Sequence, residues 1–169
     1  MLPKIKKILY ATGMGAGAPH VFRYALTMAS QLDAQIIAVS AIEPLSDFAQ
    51  SLVELHVSHQ DAEQMHLEAR NQAKQRLRER ISKLCEKECG IDPRCNNRVS
   101  LIQVEEGHPV EIILANAKRH DVDLIIMGSH RHSVVGDASL GTNTHKVLHS
   151  ASQPVLVVRI PDGYHEEGF

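Results

Sequence analysis

The chain has 169 residues, 43% hydrophobic and 22% charged, with a formal net charge of −2. That is enough for one buried core, and it lacks the basic excess that draws a whole molecule to nucleic acid or an anionic membrane. With no Trp, three Tyr, three Phe and three Cys, it also offers neither stacking platforms for single-stranded nucleic acid nor a disulfide framework, and no apolar run approaches the roughly 20 residues of a membrane span.

The basic start, Met1 to Lys7, is followed by the apolar stretch Ile8-Leu9-Tyr10-Ala11, which closes the strand block Ile5 to Ala11. It is too short for a signal-peptide core and reads as a first strand, so a cytoplasmic location is expected. The small-residue loop Thr12-Gly13-Met14-Gly15-Ala16-Gly17 follows. Pro19 suits a first helical position, and Phe22, Ala25, Leu26 and Ala29 then recur at three and four. Ile36 to Ile42 is the second strand. Pro44 to His56, with Leu45, Phe48, Leu52, Val53 and Leu55, reads as a short amphipathic lid or as an ordinary packed connection, the second being favoured; whether it moves is left open.

From His59 to Glu88 a long polar stretch carries Ala73, Leu77, Ile81 and Leu84 on one stripe. Its run of seven Lys or Arg between Arg70 and Lys87, relieved by Glu68, Glu79, Glu86 and Glu88, reads as a solvated helix face and not a nucleic-acid patch. Gly90 is expected to stop this helix and Pro93 to turn the chain. Cys85, Cys89 and Cys95 could bind zinc with a nearby His, or Cys89 and Cys95 could bridge. Without a fourth fixed ligand they read as reduced, partly buried thiols.

Val99 to Val104 is the third strand, and Pro109 opens a helix with Ile112, Ile113 and Ala117 inward. Leu124 to Met127 is the fourth strand, leaving through Met127-Gly128-Ser129-His130-Arg131-His132 and Ser133 to Leu140. Gly141-Thr142-Asn143-Thr144 then opens a helix whose buried side is Thr144, Val147, Leu148 and Ala151. Val155 to Val158 is the last strand, and the polar tail Asp162 to Phe169 is expected to fray. The strand blocks are apolar on consecutive positions, as strands covered on both faces are. Alternating with helices, they make a doubly wound parallel α/β sheet.

In such a sheet ligands bind beyond the carboxyl ends of the strands, where strand order reverses. Around Gly128 and Gly141 the backbone can approach an anion, and a helix start presents unpaired N–H groups; Ser129, Thr142 and Thr144 add hydroxyls. This is phosphate-cradle chemistry without a Walker lysine or a G-x-G-x-x-G fingerprint.

The stretch Val122 to His130, Gly141-Thr142 and Ser152 to Arg159, with Lys7 to Thr12 at the front and Glu106-Gly107-His108-Pro109 before a helix, resembles the universal stress protein family. The resemblance spans nearly all the chain except about 44–97. It implies one domain over 1–160 with a helical insertion around 44–97 and a tail at 161–169. The implied fold is a Rossmann-like, adenine nucleotide alpha hydrolase-like five-stranded sheet in the order 3-2-1-4-5. A cytoplasmic stress-response regulatory role is implied, with pairing of two copies through the last strand, Pro154 to Arg159. The cofactors it implies are ATP or AMP, with Mg. By position, Thr12 and Ala41 would line the adenine and ribose side, while Gly128, His130, Gly141, Thr142 and Asn143 would hold phosphates. The full candidate set is Thr12, Gly13, Ala41, Met127, Gly128, His130, Arg131, Gly141, Thr142, Asn143 and Thr144.

Two positions depart from the family pattern. Gly13 stands where an acidic residue faces the nucleoside. Arg131 stands where a second loop glycine belongs, so either the loop takes another shape or the guanidinium itself meets a phosphate oxygen. A nucleotide-free dimeric scaffold is the alternative reading. No catalytic set is placed by spacing, and slow ATP hydrolysis is the most the residues allow. His145 and His149, one helical turn apart, could chelate a metal. Spacing places no third ligand, so they read as solvated histidines and no metal site is expected.

Overall fold

A computed structural model describes residues 2–13, 15–44, 46, 51, 59–91, 97–129 and 140–166. Five strands, β1 Lys7–Ala11, β2 Gln35–Ile42, β3 Val99–Glu106, β4 Leu124–Ser129 and β5 Val155–Arg159, form one sheet in the order β3-β2-β1-β4-β5. Every pairing is parallel, with Ile8 opposite both Ile36 and Leu124. Among the described residues four helices connect them: α1 Ala18–Leu32, α2 His59–Ile91, α3 Pro109–Arg119 and α4 Thr142–Ser150.

Successive strand residues point to opposite faces, and both faces are buried. Ile8, Tyr10, Ile36, Ala38 and Ile126 meet α1 (Phe22, Ala25, Ala29) and α2 (Ile81, Leu84). On the reverse face Leu9, Ile37, Val39, Ile125 and Met127 meet Val110, Ile113 and Ala117 of α3 and Val147 of α4. This two-sided burial is why the strands are apolar at consecutive positions.

Details at several ends differ from the sequence reading. Helix α1 begins at Ala18, one residue before Pro19. Helix α2 runs through Gly90 to Ile91, so that glycine does not stop it. Its apolar stripe is confined to the second half: Leu77, Ile81 and Leu84 are buried, whereas Met65 and Leu67 are exposed. Leu148 is 39% exposed, so the buried side of α4 is carried by Thr144 and Val147. The segment Pro44 to His56 lies largely outside the described residues, as does Cys95. Cys85 and Cys89 are half-buried against the α1 side of the core. Burial, then the neighbouring Cys89, pushes the Cys85 thiol up to about 12, which leaves it a poor nucleophile.

The tail is tied down as far as Glu166. Ile160 is buried, and the Tyr164 ring lies 5.2 Å from that of His20. Arg23 on α1 donates to Tyr164 Oη and to both Glu166 carboxylate oxygens, each at 2.9 Å, and to Glu88 at 2.8 Å. Lys87 reaches Glu166 at 2.6 Å. Polarity alone suggested fraying; the polar groups instead satisfy one another across three segments.

Arg23 first, then Lys87 and Tyr164, hold the Glu166 carboxyl at about 2, against the usual 4.5. A carboxylate depressed in the folded state contributes stability that is full above about 4.5 and is lost as pH falls toward 2. Discounted for partial solvent screening, Glu166→Gln is expected to cost about 1–2 kcal/mol at pH 7. In urea titrations the difference from the parent should narrow steadily between pH 5 and pH 2; a pH-independent difference would contradict the ion cluster.

Candidate functional site

Strands β1 and β4 are neighbours at the centre of the sheet, and from them the chain winds outward in opposite directions. Their carboxyl ends therefore border the crevice at the switch point. A cleft of about 350 Å³ lies there. Its floor is the ends of the strands, with Tyr10 and Ala11 from β1 and Thr12 just after it, Val39 and Ala41 from β2, and Met127 and Gly128 from β4.

Three helices open onto the same cleft, contributing Gly17 and Ala18, Pro109, and Asn143 and Thr144. None of α1, α3 and α4 has a side-chain cap hydrogen bond at its start. The first turns of α1 and α4 carry no acidic residue, while that of α3 carries Glu111. Helix starts leave several backbone N–H groups without intrahelical acceptors and carry the positive end of the helix dipole. The described lining contains no charged side chain, so its polarity comes from peptide groups and hydroxyls.

The β1 wall is held by a local network. The Tyr10 hydroxyl is shared between Thr12 Oγ1 and the Ala18 carbonyl, each at 2.9 Å. Tyr10 is fully buried, and that burial pushes its phenol far above the ordinary range, so it stays protonated and fastens the loop after β1 to the start of α1.

At the β4 side, packing decides the chemistry of Gly128. A Cβ there would lie 2.7 Å from Val21 Cγ2 and 3.0 Å from Ile160 Cδ1; one at Gly17 would lie 2.4 Å from Ile160 Cδ1. The tail residue Ile160 is thus wedged between two glycines and lines the cleft itself. Thr144 Oγ1 donates to the Gly128 carbonyl at 3.2 Å, and the Gly141 N–H donates to Ser129 Oγ at 3.4 Å.

A model of the universal stress protein family matches residues 4–159 of the sequence. The chain belongs to the universal stress protein family. Universal stress protein A homolog 2 of Coxiella burnetii (strain RSA 493 / Nine Mile phase I) is 35% identical over 159 residues, spanning 92% of this chain and 95% of that one. The solved structure of Methanocaldococcus jannaschii MJ0577 is similar with a TM-score of 0.70 at 24% identity, covering 95% of this chain and 99% of the other. A universal stress protein solved in complex with cAMP has a TM-score of 0.58 at 15% identity, over 94% and 100% of the two chains. At these identities the structural likeness shows the fold.

In this universal stress protein the cleft gathers Thr12, Gly13, Ala41, Met127, Gly128, Asn143 and Thr144 from the sequence-derived set. Gly141 and Thr142 sit at the start of α4 but do not line the cleft. His130 and Arg131 lie outside the described residues. One expected role changes. The Thr144 hydroxyl is turned onto Gly128 and is not a free phosphate donor. Gly141 has φ −54° and ψ 148°, extended backbone that any residue adopts, so its value at the α4 start is not conformational.

Sequence reasoning missed Tyr10, Gly17, Val21 and Ile160. The first three are hidden in apolar or small-residue runs, and Ile160 follows a strand edge with no motif of its own. Gly17 alone carried a signal, as the last glycine before a Pro-led helix.

Proposed function

We propose that this chain is a regulatory module that takes an adenine mononucleotide, ATP or AMP, in the cleft between β1 and β4. The observation that carries the reading is the meeting of three helix starts without side-chain caps at one crevice whose described lining holds no carboxylate. Such a place favours a phosphate group. The volume of about 350 Å³ lies near the lower end of the range for small-molecule pockets and suits a mononucleotide. Thr12 and Ala41 lie toward the base and ribose, Gly128 and Asn143 toward the phosphates. That a relative of the same fold was solved with cAMP agrees with this assignment. Magnesium, where present, would be carried by the phosphates of ATP; no described carboxylate lines the cleft to hold it alone.

Isothermal calorimetry and thermal-shift assays with ATP, ADP, AMP and cAMP near millimolar test the reading. Heat and a raised Tm with at least one nucleotide are expected, and silence with all four would end it. A Cβ at Gly13 meets nothing within 4 Å, so Gly13→Asp is expected to fold normally. By restoring a carboxylate at the nucleoside side, it should tighten binding several-fold.

The regulatory module is proposed to work as a cytoplasmic homodimer paired along β5. That strand ends the sheet, with Val155, Leu156 and Val157 only half-buried, and edges of this kind are normally covered. Light scattering at micromolar concentration should give twice the chain mass, and Val157→Lys should return a monomer. A parent protein that is already monomeric would rule the pairing out. If dimerisation holds and nucleotides fail, the nucleotide-free scaffold is the surviving function.

A further inference from the structure

The segment that follows β5, Ile160 to Glu166, is held at two places of different chemistry. At the first, Ile160 is buried in the cleft wall against Gly17 and Gly128, and its N–H donates to the Ser129 carbonyl at 3.1 Å. At the second, the Glu166 carboxylate accepts from both terminal nitrogens of Arg23 on α1 and from Lys87 on α2, with the Tyr164 hydroxyl in the same cluster. Between the two, Pro161, Asp162 and Gly163 are exposed. The chain turns there, with the Tyr164 N–H on the Pro161 carbonyl at 3.1 Å and Gly163 at φ +72°, a conformation glycine adopts without strain. Segments with so little buried apolar surface open locally while the sheet behind them stays folded.

We propose that Ile160 to Glu166 form a latched strap: the Arg23–Glu166–Lys87 cluster holds the segment down, and its release unseats Ile160 and opens the cleft wall at Gly17 and Gly128. Neither glycine has a side chain to move into the vacated place, so the cleft widens there when the isoleucine leaves. Arg23, Lys87 and Glu166 do not line the cleft among the described residues, and the shape of the wall therefore answers to charge outside it. The Arg23 and Lys87 side chains are 40% and 45% exposed. Water and salt reach ion pairs placed in this way and weaken them, a dependence that apolar packing lacks. The strap is latched whether or not a nucleotide is bound; a ligand that fills the cleft against Ile160 favours the closed form.

Amide hydrogen exchange of the full chain, followed residue by residue by NMR, tests the latch. In the parent, Ile160 and Tyr164 should exchange at similar opening free energies and well ahead of Ile125, whose N–H is bonded to the Pro154 carbonyl inside the sheet. Glu166→Gln and Arg23→Gln should each speed both strap amides about 5- to 30-fold. Raising sodium chloride from about 0.05 M to about 1 M should speed them in the parent and have little effect in Glu166→Gln. Ile37→Val, a core change on the far face of the sheet, should speed Ile125 and leave both strap amides as they were, since it alters global unfolding only. Strap amides no faster than Ile125 in the parent, or an Ile160 rate unchanged in both latch variants, would overturn the proposal. AMP at about ten times its Kd should slow Ile160 about tenfold if it binds the closed strap alone. AMP that binds without slowing Ile160 would break the link between strap and cleft. AMP that does not bind ends the nucleotide reading, and the two latch variants still decide the strap.

Discussion

Gly128→Ala is expected to lower stability by about 1–3 kcal/mol and to abolish nucleotide uptake, because the new methyl would enter a space already filled. Its neighbours at 2.7 and 3.0 Å, Val21 and Ile160, cannot both yield. A valine on a helix is held close to one rotamer, and Ile160 is backed by Gly17, where a Cβ would already stand 2.4 Å from it. The sequence reading took Gly128 as a point of close approach to an anion. If that were its only role, alanine would weaken binding and leave the urea midpoint untouched. Chemical denaturation and calorimetry on one sample separate the two roles, since the packing account requires both to fall together.

Phe22→Ala should have the larger effect on stability, about 3–5 kcal/mol. Phe22 is fully buried in the first half of α1 and packs on Tyr10, with ring centroids 5.3 Å apart at 49°. Its removal opens a cavity under β1 and loosens the ring that carries the hydroxyl between Thr12 and Ala18. A fall of that size is a large share of the stability of a domain this length, so the variant is expected to populate unfolded chain at 37 °C. Thermal unfolding followed by circular dichroism provides the measure; a loss below about 1 kcal/mol would mean the core repacks freely.

Most of the sheet was legible because burial on both faces leaves a direct imprint: Ile36 to Ile42 and Leu124 to Met127 are apolar without alternation, and the strands extend only a residue or two beyond such blocks. Strand order was not readable from periodicity and entered through the family resemblance; the structure has the same order. The cleft was legible as a location, at the ends of the first and fourth strands, but its working parts were less so. Thr144 looked like a phosphate donor because hydroxyl chemistry is visible in a sequence, while its commitment to the Gly128 carbonyl is not. Leu148 looked buried because it neighbours Val147, and the helix turns it outward. The Arg23–Glu88–Glu166 cluster joins positions 65 and 143 residues apart, a separation at which neither composition nor periodicity carries information.

The wedge formed by Ile160 has a practical consequence for anyone labelling the molecule. Seven residues from Ile160 to Glu166 connect a side chain in the cleft wall to an anchored carboxylate near the end of the chain. A fluorophore or purification handle joined at the C-terminus attaches three residues beyond that anchor, so tagged and untagged samples are best compared before any ligand titration is read. The same attachment ahead of Lys4 meets the opposite rim of the sheet, where the strands begin.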